Sequence, residues 1–240
     1  MAVSIDTVYQ RVLAILNKEQ RGYVTPQEFN LFANQAQMDI FEQYFYDINQ
    51  FSRMPGNDTE YSDMLNVLNE KISLFEKTET LEYNTTNVSY DLPSDLYRVG
   101  TIIYKGTEVE RVNKNEYLYI TASPITAPGN EFPIYTKDTN GFKVFGASQI
   151  TVDPDDNPTP TDLVTINYIK KPTKVEWKYQ MVYGEALYDA TYSVNFELHP
   201  SEETELITKI LALAGLLVQD LGFYQVATAE DAKDEQLQKS

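Results

Sequence analysis

Apolar residues in the first third of the chain recur at the three- and four-residue spacing of helices. Ile5, Val8, Val12, Ile15 and Leu16 make one stripe, which Ser4 can cap and Gly22 stops. The next helix has the clearest start. Thr25 sits at the N-cap, Pro26 at the first helical position and Glu28 where its carboxylate reaches back to the Thr25 amide. Val24 and Phe29 take the two positions of a hydrophobic staple, and Phe32, Ala33, Ala36, Ile40, Phe41 and Tyr44 continue the face to about Tyr46. After a turn at Met54-Pro55-Gly56-Asn57, a third stripe runs through Tyr61, Met64, Leu65, Leu68, Ile72 and Phe75. Short connections predict antiparallel packing of these helices.

From about residue 78 the period changes to two. Val88, Tyr90 and Leu92 alternate with Ser89 and Asp91. Val99 to Tyr104 is β-branched and aromatic, and Lys105-Gly106 predicts a turn before a strand near Val109. Phe132 to Thr136 and Phe142 to Phe145 flank Asn140-Gly141, a strong hairpin signal, and Leu163 to Ile169 forms one more strand. This spacing predicts an antiparallel sandwich or partial barrel.

Helical spacing returns after His199-Pro200. Leu206, Ile207, Ile210, Leu211, Leu213, Leu216, Leu217 and Val218 cover almost the whole circumference, so the helix is buried on all sides, in the core or in a seam between subunits. From Thr228 the tail is polar and charged, with Leu237 its one large apolar residue, and alone in water it is expected to be disordered. The predicted fold is α+β. An antiparallel helical bundle of N-terminal helices (1–77) and a C-terminal helix (within 178–222) carries an inserted antiparallel β-rich module (78–177), followed by a polar tail (223–240).

Composition narrows the chemistry. With no cysteine among 240 residues, disulfides, thiol nucleophiles and Cys-ligated metals are excluded. A formal charge of −17 argues against a surface built to grip phosphates. The start, Met-Ala-Val-Ser-Ile-Asp, has no basic stretch followed by an apolar one, and the longest apolar run, Ile210 to Val218, is far short of the ~20 residues of a membrane span. A soluble chain with no membrane association is expected.

Candidate sites are few. The single histidine, His199, precedes a helix with no G-x-S-x-G serine to activate, and reads as a helix-boundary residue. Asp153, Asp155 and Asn157 match the first ligands of a calcium loop, but Pro158 replaces the glycine and Val164 the closing glutamate, so a rigid solvated loop is expected. No phosphate-binding glycine motif occurs. Paired carboxylates for glycoside hydrolysis cannot be singled out among 36 acids. Tyr188 with Tyr192, or Tyr44 with Tyr46, would make a carbohydrate platform, although 18 tyrosines in a chain without enzymatic signatures read better as core and interface. No catalytic, cofactor-binding or metal-binding residue is assigned.

Two stretches resemble a known family. Ile15 to Phe51, through Gly22-Tyr-Val-Thr-Pro-Gln-Glu-Phe29, and Phe196 to Asp220, through His199-Pro-Ser-Glu-Glu203, are similar to structural proteins of crAss-like and related short-tailed bacteriophages, specifically head-to-tail adaptor or tail ring proteins. The resemblance implies a ring, usually of twelve copies, under the portal, a helical bundle with a β element, and a C-terminal extension docked on the portal. It implies residence in the virion tail after synthesis in the host cytoplasm, with a downstream ring, hub or nozzle protein below and DNA passing through the lumen without specific binding.

On this expectation Leu206, Ile210, Leu213, Gly215 and Leu217 pack subunits together, and Phe223, Tyr224, Val226 and Leu237 dock the portal. The acidity suits such a conduit, since a negative lumen repels the passing phosphates. The alternatives are a carbohydrate- or receptor-binding tail module on the tyrosine-rich β section and, third, a carboxylate-based cell-wall hydrolase.

Overall fold

A computed structural model describes residues 3–18, 24–53, 59–84, 86–139, 141–146 and 163–217. In chain order it contains α1 (Ile5–Lys18), α2 (Pro26–Arg53), α3 (Thr59–Ser73), β1 (Glu76–Thr80), β2 (Tyr83–Asn84), β3 (Ser89–Asp91), β4 (Leu96–Tyr104), β5 (Thr107–Glu108) and β6 (Glu110–Arg111). There follow α4 (Lys114–Thr121), β7 (Ile134–Lys137), β8 (Gly141–Phe145), β9 (Val164–Lys170), β10 (Tyr179–Val182), β11 (Glu185–Tyr188), a 3₁₀ turn (Pro200–Glu202) and α5 (Glu203–Leu217). The fold is α+β. The chain divides into two compact units, residues 1–74 with 172–240, and residues 75–171.

In the first unit the predicted starts are in place. Ser4 Oγ accepts from the Thr7 amide. At α2 the Thr25 amide donates to Glu28 Oε2 at 2.9 Å and the Glu28 amide to Thr25 Oγ1 at 3.3 Å, a reciprocal capping box. Val24 and Phe29 are both buried beside it. Helix α2 continues past the expected Tyr46 to Arg53, and it packs against α3 and α5, while α1 packs against α5.

One feature of α2 escaped the apolar pattern. Asn30, Asn34 and Gln37 lie four and three residues apart, and residues 173–177 run beside them as extended chain. Asn30 Oδ1 accepts from the Trp177 amide at 2.7 Å and its Nδ2 donates to the Trp177 carbonyl at 3.2 Å. Asn34 does the same for Val175, at 3.0 and 2.8 Å. Gln37 Nε2 donates to the Thr173 carbonyl and its Oε1 accepts from the Glu197 amide. The spacing fits: four helical residues rise ~6 Å, close to the ~6.6 Å covered by two residues of a strand. The side-chain amides thus replace a neighbouring strand.

The second unit has two sheets, in strand orders β1-β9-β4-β5 and β2-β3-β8-β7-β6. Ile102, Tyr104, Val164, Ile166 and Tyr168 of the first share a core with Tyr90, Tyr135 and Phe142 of the second. β9 alternates buried and half-buried positions, as its sequence predicts. β7 and β8 form the expected antiparallel hairpin, with Lys137 opposite Phe142, and Asn140 lies outside the described residues.

Two features of this unit lie outside the expectation from sequence, and only the second breaks the antiparallel pattern. Strand β1 pairs with β9 although all five of its side chains are exposed, so it carries no alternation to detect. β6 and β7 pair in parallel, because α4 lies in the connection between them and supplies the crossover that a parallel pair requires. α4 buries none of its residues, which explains its weak signal.

Asn34→Ala strips two partly buried backbone groups of Val175 of their partners at ~1–3 kcal/mol each. Chemical denaturation should show a loss of about 2–4 kcal/mol; a change below about 0.5 kcal/mol, within surface-substitution scatter, would show that water replaces the amide.

Candidate functional site

The first unit exposes a short antiparallel hairpin, β10–β11, paired from Tyr179↔Tyr188 to Val182↔Glu185. Its two-residue turn places Tyr183 at φ 53° and Gly184 at φ 89°, the left-handed pair of a type I′ turn. Glycine adopts that conformation freely, and asparagine or aspartate would suit the first position. A tyrosine there costs roughly 1–2 kcal/mol. The residue is also fully in solvent, at 105% relative exposure, and Met181 and Leu187 are 64% and 61% exposed. Neither backbone preference nor intramolecular packing accounts for this tyrosine.

Beside the hairpin lies a cleft of about 760 Å³, between its residues and the starts of α1 and α2. Trp177 forms its aromatic side, with ring centroids 4.4 Å from Tyr9, 5.7 Å from Tyr179 and 5.8 Å from Tyr188. The indole Nε1 donates to Asp6 Oδ1 at 3.0 Å. Asp6, Gln10 and Gln27 add polar groups to the lining. At the hairpin base Asp189 accepts from Gln180 at 2.7 Å, a bond that holds its carboxyl below the ordinary range.

Carboxylates do approach one another in the second unit. The Tyr168 hydroxyl lies 2.8 Å from Glu79 Oε2 and 2.7 Å from Asp95 Oδ1, and Lys77 Nζ reaches the same two side chains at 3.1 and 3.3 Å. Hydrogen bonds from Tyr168 and Lys77 lower the Glu79 carboxyl. Burial works to raise Asp95, but the same two donors hold it below its usual value. A glycosidase needs one carboxyl raised opposite another, and here both are depressed. The cluster is an ion-pair network joining β1, β4 and β9. Asp138 is similar: Lys114 first, then the Thr139 amide and Lys143, bring it from 3.8 to about 2.

The residues expected to pack subunits are placed otherwise. Leu206, Ile210 and Gly215 are buried within the protomer, since α5 turns them toward α1 and α2, and they form no exposed seam. Leu213 is half-buried, and the side chain of Leu217 lies outside the described residues. So do Phe223, Tyr224, Val226 and Leu237, and the acidic stretch Asp153 to Asn157. His199 ends as a cap: its Nδ1 accepts from the Ser201 amide at 3.2 Å, ahead of the 3₁₀ turn.

Of the proposed tyrosine pairs, Tyr44 is buried and Tyr46 exposed, whereas Tyr188 borders the cleft and Tyr192 is exposed. The hairpin is hidden in the sequence because Met181-Val182 and Ala186-Leu187-Tyr188 run apolar on both faces and leave no period-two alternation; Tyr183-Gly184 between two four-residue runs was the available signal. Among the described residues no helix is long and apolar enough to cross a membrane, and no group of three or more acidic or histidine side chains is placed to hold a metal. No protein-family model and no curated protein matches the chain.

Trp177 is the sole tryptophan and 2% exposed, so its native emission should resist acrylamide quenching. Asp6→Ala should red-shift the emission and increase quenching; unchanged spectra would refute the Asp6 contact. A carboxylate lowered on folding contributes stability above its unfolded pKa that is lost as pH falls through the folded one. Urea titrations from pH 3.8 down to about 2 should therefore show a loss of stability that Asp138→Asn reduces, the remainder coming from the other lowered carboxylates, Glu79, Asp95 and Asp189.

Proposed function

We propose that this chain is a non-enzymatic structural protein of a virion, a ring component that joins portal to tail in a short-tailed bacteriophage and lets DNA pass through its lumen. The observation that carries the reading is the β10–β11 hairpin. A strained, fully exposed tyrosine beside exposed Met181, Val182 and Leu187 makes physical sense if another molecule covers it. Ring assembly supplies such a cover, because each protomer in a heterologous ring meets its two neighbours through one repeated interface.

Several observations support this reading. The α+β organisation agrees with what the resemblance implies, and so does the formal charge of −17, which favours DNA passing over DNA adhering. The carboxylate pair Glu79 and Asp95 is held in its charged state and suits structure better than hydrolysis. With Leu206 and Ile210 in the protomer core, subunit packing passes in this proposal to Met181, Val182, Tyr183 and Leu187. Docking on the portal stays with residues 223–240. A ring of twelve copies follows the resemblance.

The aromatic cleft favours a second reading, a carbohydrate- or receptor-binding tail module. Tyr179 and Tyr188, stacked on the buried Trp177, offer aromatic rings, and Asp6, Gln10 and Gln27 offer hydrogen bonds to hydroxyls.

Electron microscopy and sedimentation of the purified chain, alone and with portal, test the first reading. Rings are expected. Tyr183→Asn should leave the fold as stable or raise stability by about 1 kcal/mol, by relieving the left-handed tyrosine, while Met181→Asp with Tyr183→Asn should abolish rings with little change in melting. Monomers under every condition, portal included, would refute the proposal. Glycan-array binding with a change in Trp177 emission would establish the second reading instead.

A further inference from the structure

The second unit holds a smaller cleft, about 290 Å³, and its lining runs against the charge of the chain. Arg98, Arg111 and Lys137 border it together, in a protein with 36 acidic and 19 basic residues. Several other cations sit on carboxylates: Lys71 on Glu202, Lys77 on Glu79 and Asp95, Lys114 and Lys143 on Asp138, Arg11 on Glu203. Among the described residues, Arg98, Arg111 and Lys137 form no ion pair. With acids in nearly twofold excess, three cations kept together without a partner carboxylate need an explanation.

The backbone builds this convergence. In β4 the pairing with β9 shifts register between Leu96 and Arg98, so Leu96 stands opposite Lys170 and Arg98 opposite Ile169. Such a bulge breaks strict alternation and re-aims side chains, which is how consecutive Tyr97, Arg98 and Val99 come to border one cleft. Gly100 follows, where a Cβ would stand 2.6 Å from the Asn167 carbonyl oxygen, so the irregular path requires glycine. From the other sheet, β6 brings Arg111 opposite Tyr135 of β7. Tyr135 and Lys137, two residues apart, share a face of β7.

The interior of the cleft is aromatic. Phe142 is fully buried, and Tyr135 packs edge-on against it with centroids 5.5 Å apart. Burial pushes the Tyr135 hydroxyl above its ordinary value; Arg111 opposes this and Glu108 reinforces it, so the group keeps its proton as a hydrogen-bond donor. Two guanidinium forks match the oxygens of phosphate or carboxylate, and the rings accommodate an apolar portion. The size restricts the occupant, since the volume lies at the lower end of the ~300–1,000 Å³ of small-molecule sites. Nucleic-acid backbone is gripped by an extended basic stripe, and three cations around one small cleft do not make such a stripe.

We infer that the cleft bordered by Arg98, Arg111 and Lys137 is a binding site for a small multivalent oxyanion, an organic phosphate or polycarboxylate. The inference is independent of ring assembly, because it concerns a single protomer.

Calorimetry and thermal melting of the full chain test it, with inorganic phosphate, phenyl phosphate and citrate as probes against sodium chloride at equal ionic strength. At least one probe should bind saturably and raise the melting temperature, with phosphate and citrate separating the two sources of oxyanion. Arg98→Gln and Arg111→Gln should each weaken binding about tenfold or more, the effect of losing one charge-assisted contact. Both arginines are exposed, so these variants should keep the wild-type circular dichroism, and Lys137→Gln provides a third, milder variant. Lys174→Gln, in the other unit, should bind as wild type. No effect beyond sodium chloride, or full binding by both arginine variants, would overturn the assignment. A short oligo-dT that binds more tightly than every small anion and is lost in the same variants would overturn it in favour of nucleic acid.

Discussion

The first unit depends on a helix that hydrogen-bonds like a strand. Residues 173–177 re-enter this unit as extended chain; Glu176 pairs with Val194 on one edge, while the Thr173 carbonyl and the backbone groups of Val175 and Trp177 face α2 with no strand beside them, and leaving such groups buried without partners is costly. Asn30, Asn34 and Gln37 of α2 resolve this, and Gln37 is itself only 1% exposed. Gln37 also holds the Glu197 amide, while Glu197 returns two contacts to Thr173. Glu176 and Val194 exchange both backbone hydrogen bonds, and the Phe196 amide donates to the Val3 carbonyl. The outgoing strand, the returning strand and the start of α1 are thereby fixed to one helix face.

That constraint sets both the hairpin and the cleft. Trp177 is held through its backbone by Asn30 and through its indole by Asp6, and β10 begins two residues later. The aromatic side of the cleft and the direction of the exposed turn therefore follow from an amide on α2. On another part of the unit, Lys71 of α3 meets Glu202 at 2.6 Å, with Glu202 4% exposed. Losing one partner of such a pair costs more than the pair contributes, because the remaining charge stays buried. The pair serves position more than stability, joining α3 to the turn that starts α5.

The second unit handles charge in two ways. Around Tyr168 and Asp138, acids and bases neutralise one another across strands, which fixes register and makes the groups chemically quiet. Around Arg98 and Arg111 the positive charge stays uncompensated. This contrast inside one small β unit, under a strongly acidic chain, is what separates structural electrostatics from a candidate binding site.

Elements whose signal is local are legible in the order of residues alone. The capping box at Thr25 and Glu28, the staple of Val24 and Phe29, the alternation of β9 and the Lys105-Gly106 turn are each specified within a few residues, and the α+β class follows from their order. Long-range partnerships had no such signal. Nothing in Asn30, Asn34 and Gln37 names Trp177, Val175 and Thr173 as partners; β1 is solvated on every side chain; and α5, apolar all round, reads equally as core or as seam. Tertiary structure decided for the core, since packing against α1 and α2 buries Leu206 and Ile210. It also assembled Arg98, Arg111 and Lys137, because a bulge and a parallel crossover bring together side chains that sequence keeps far apart.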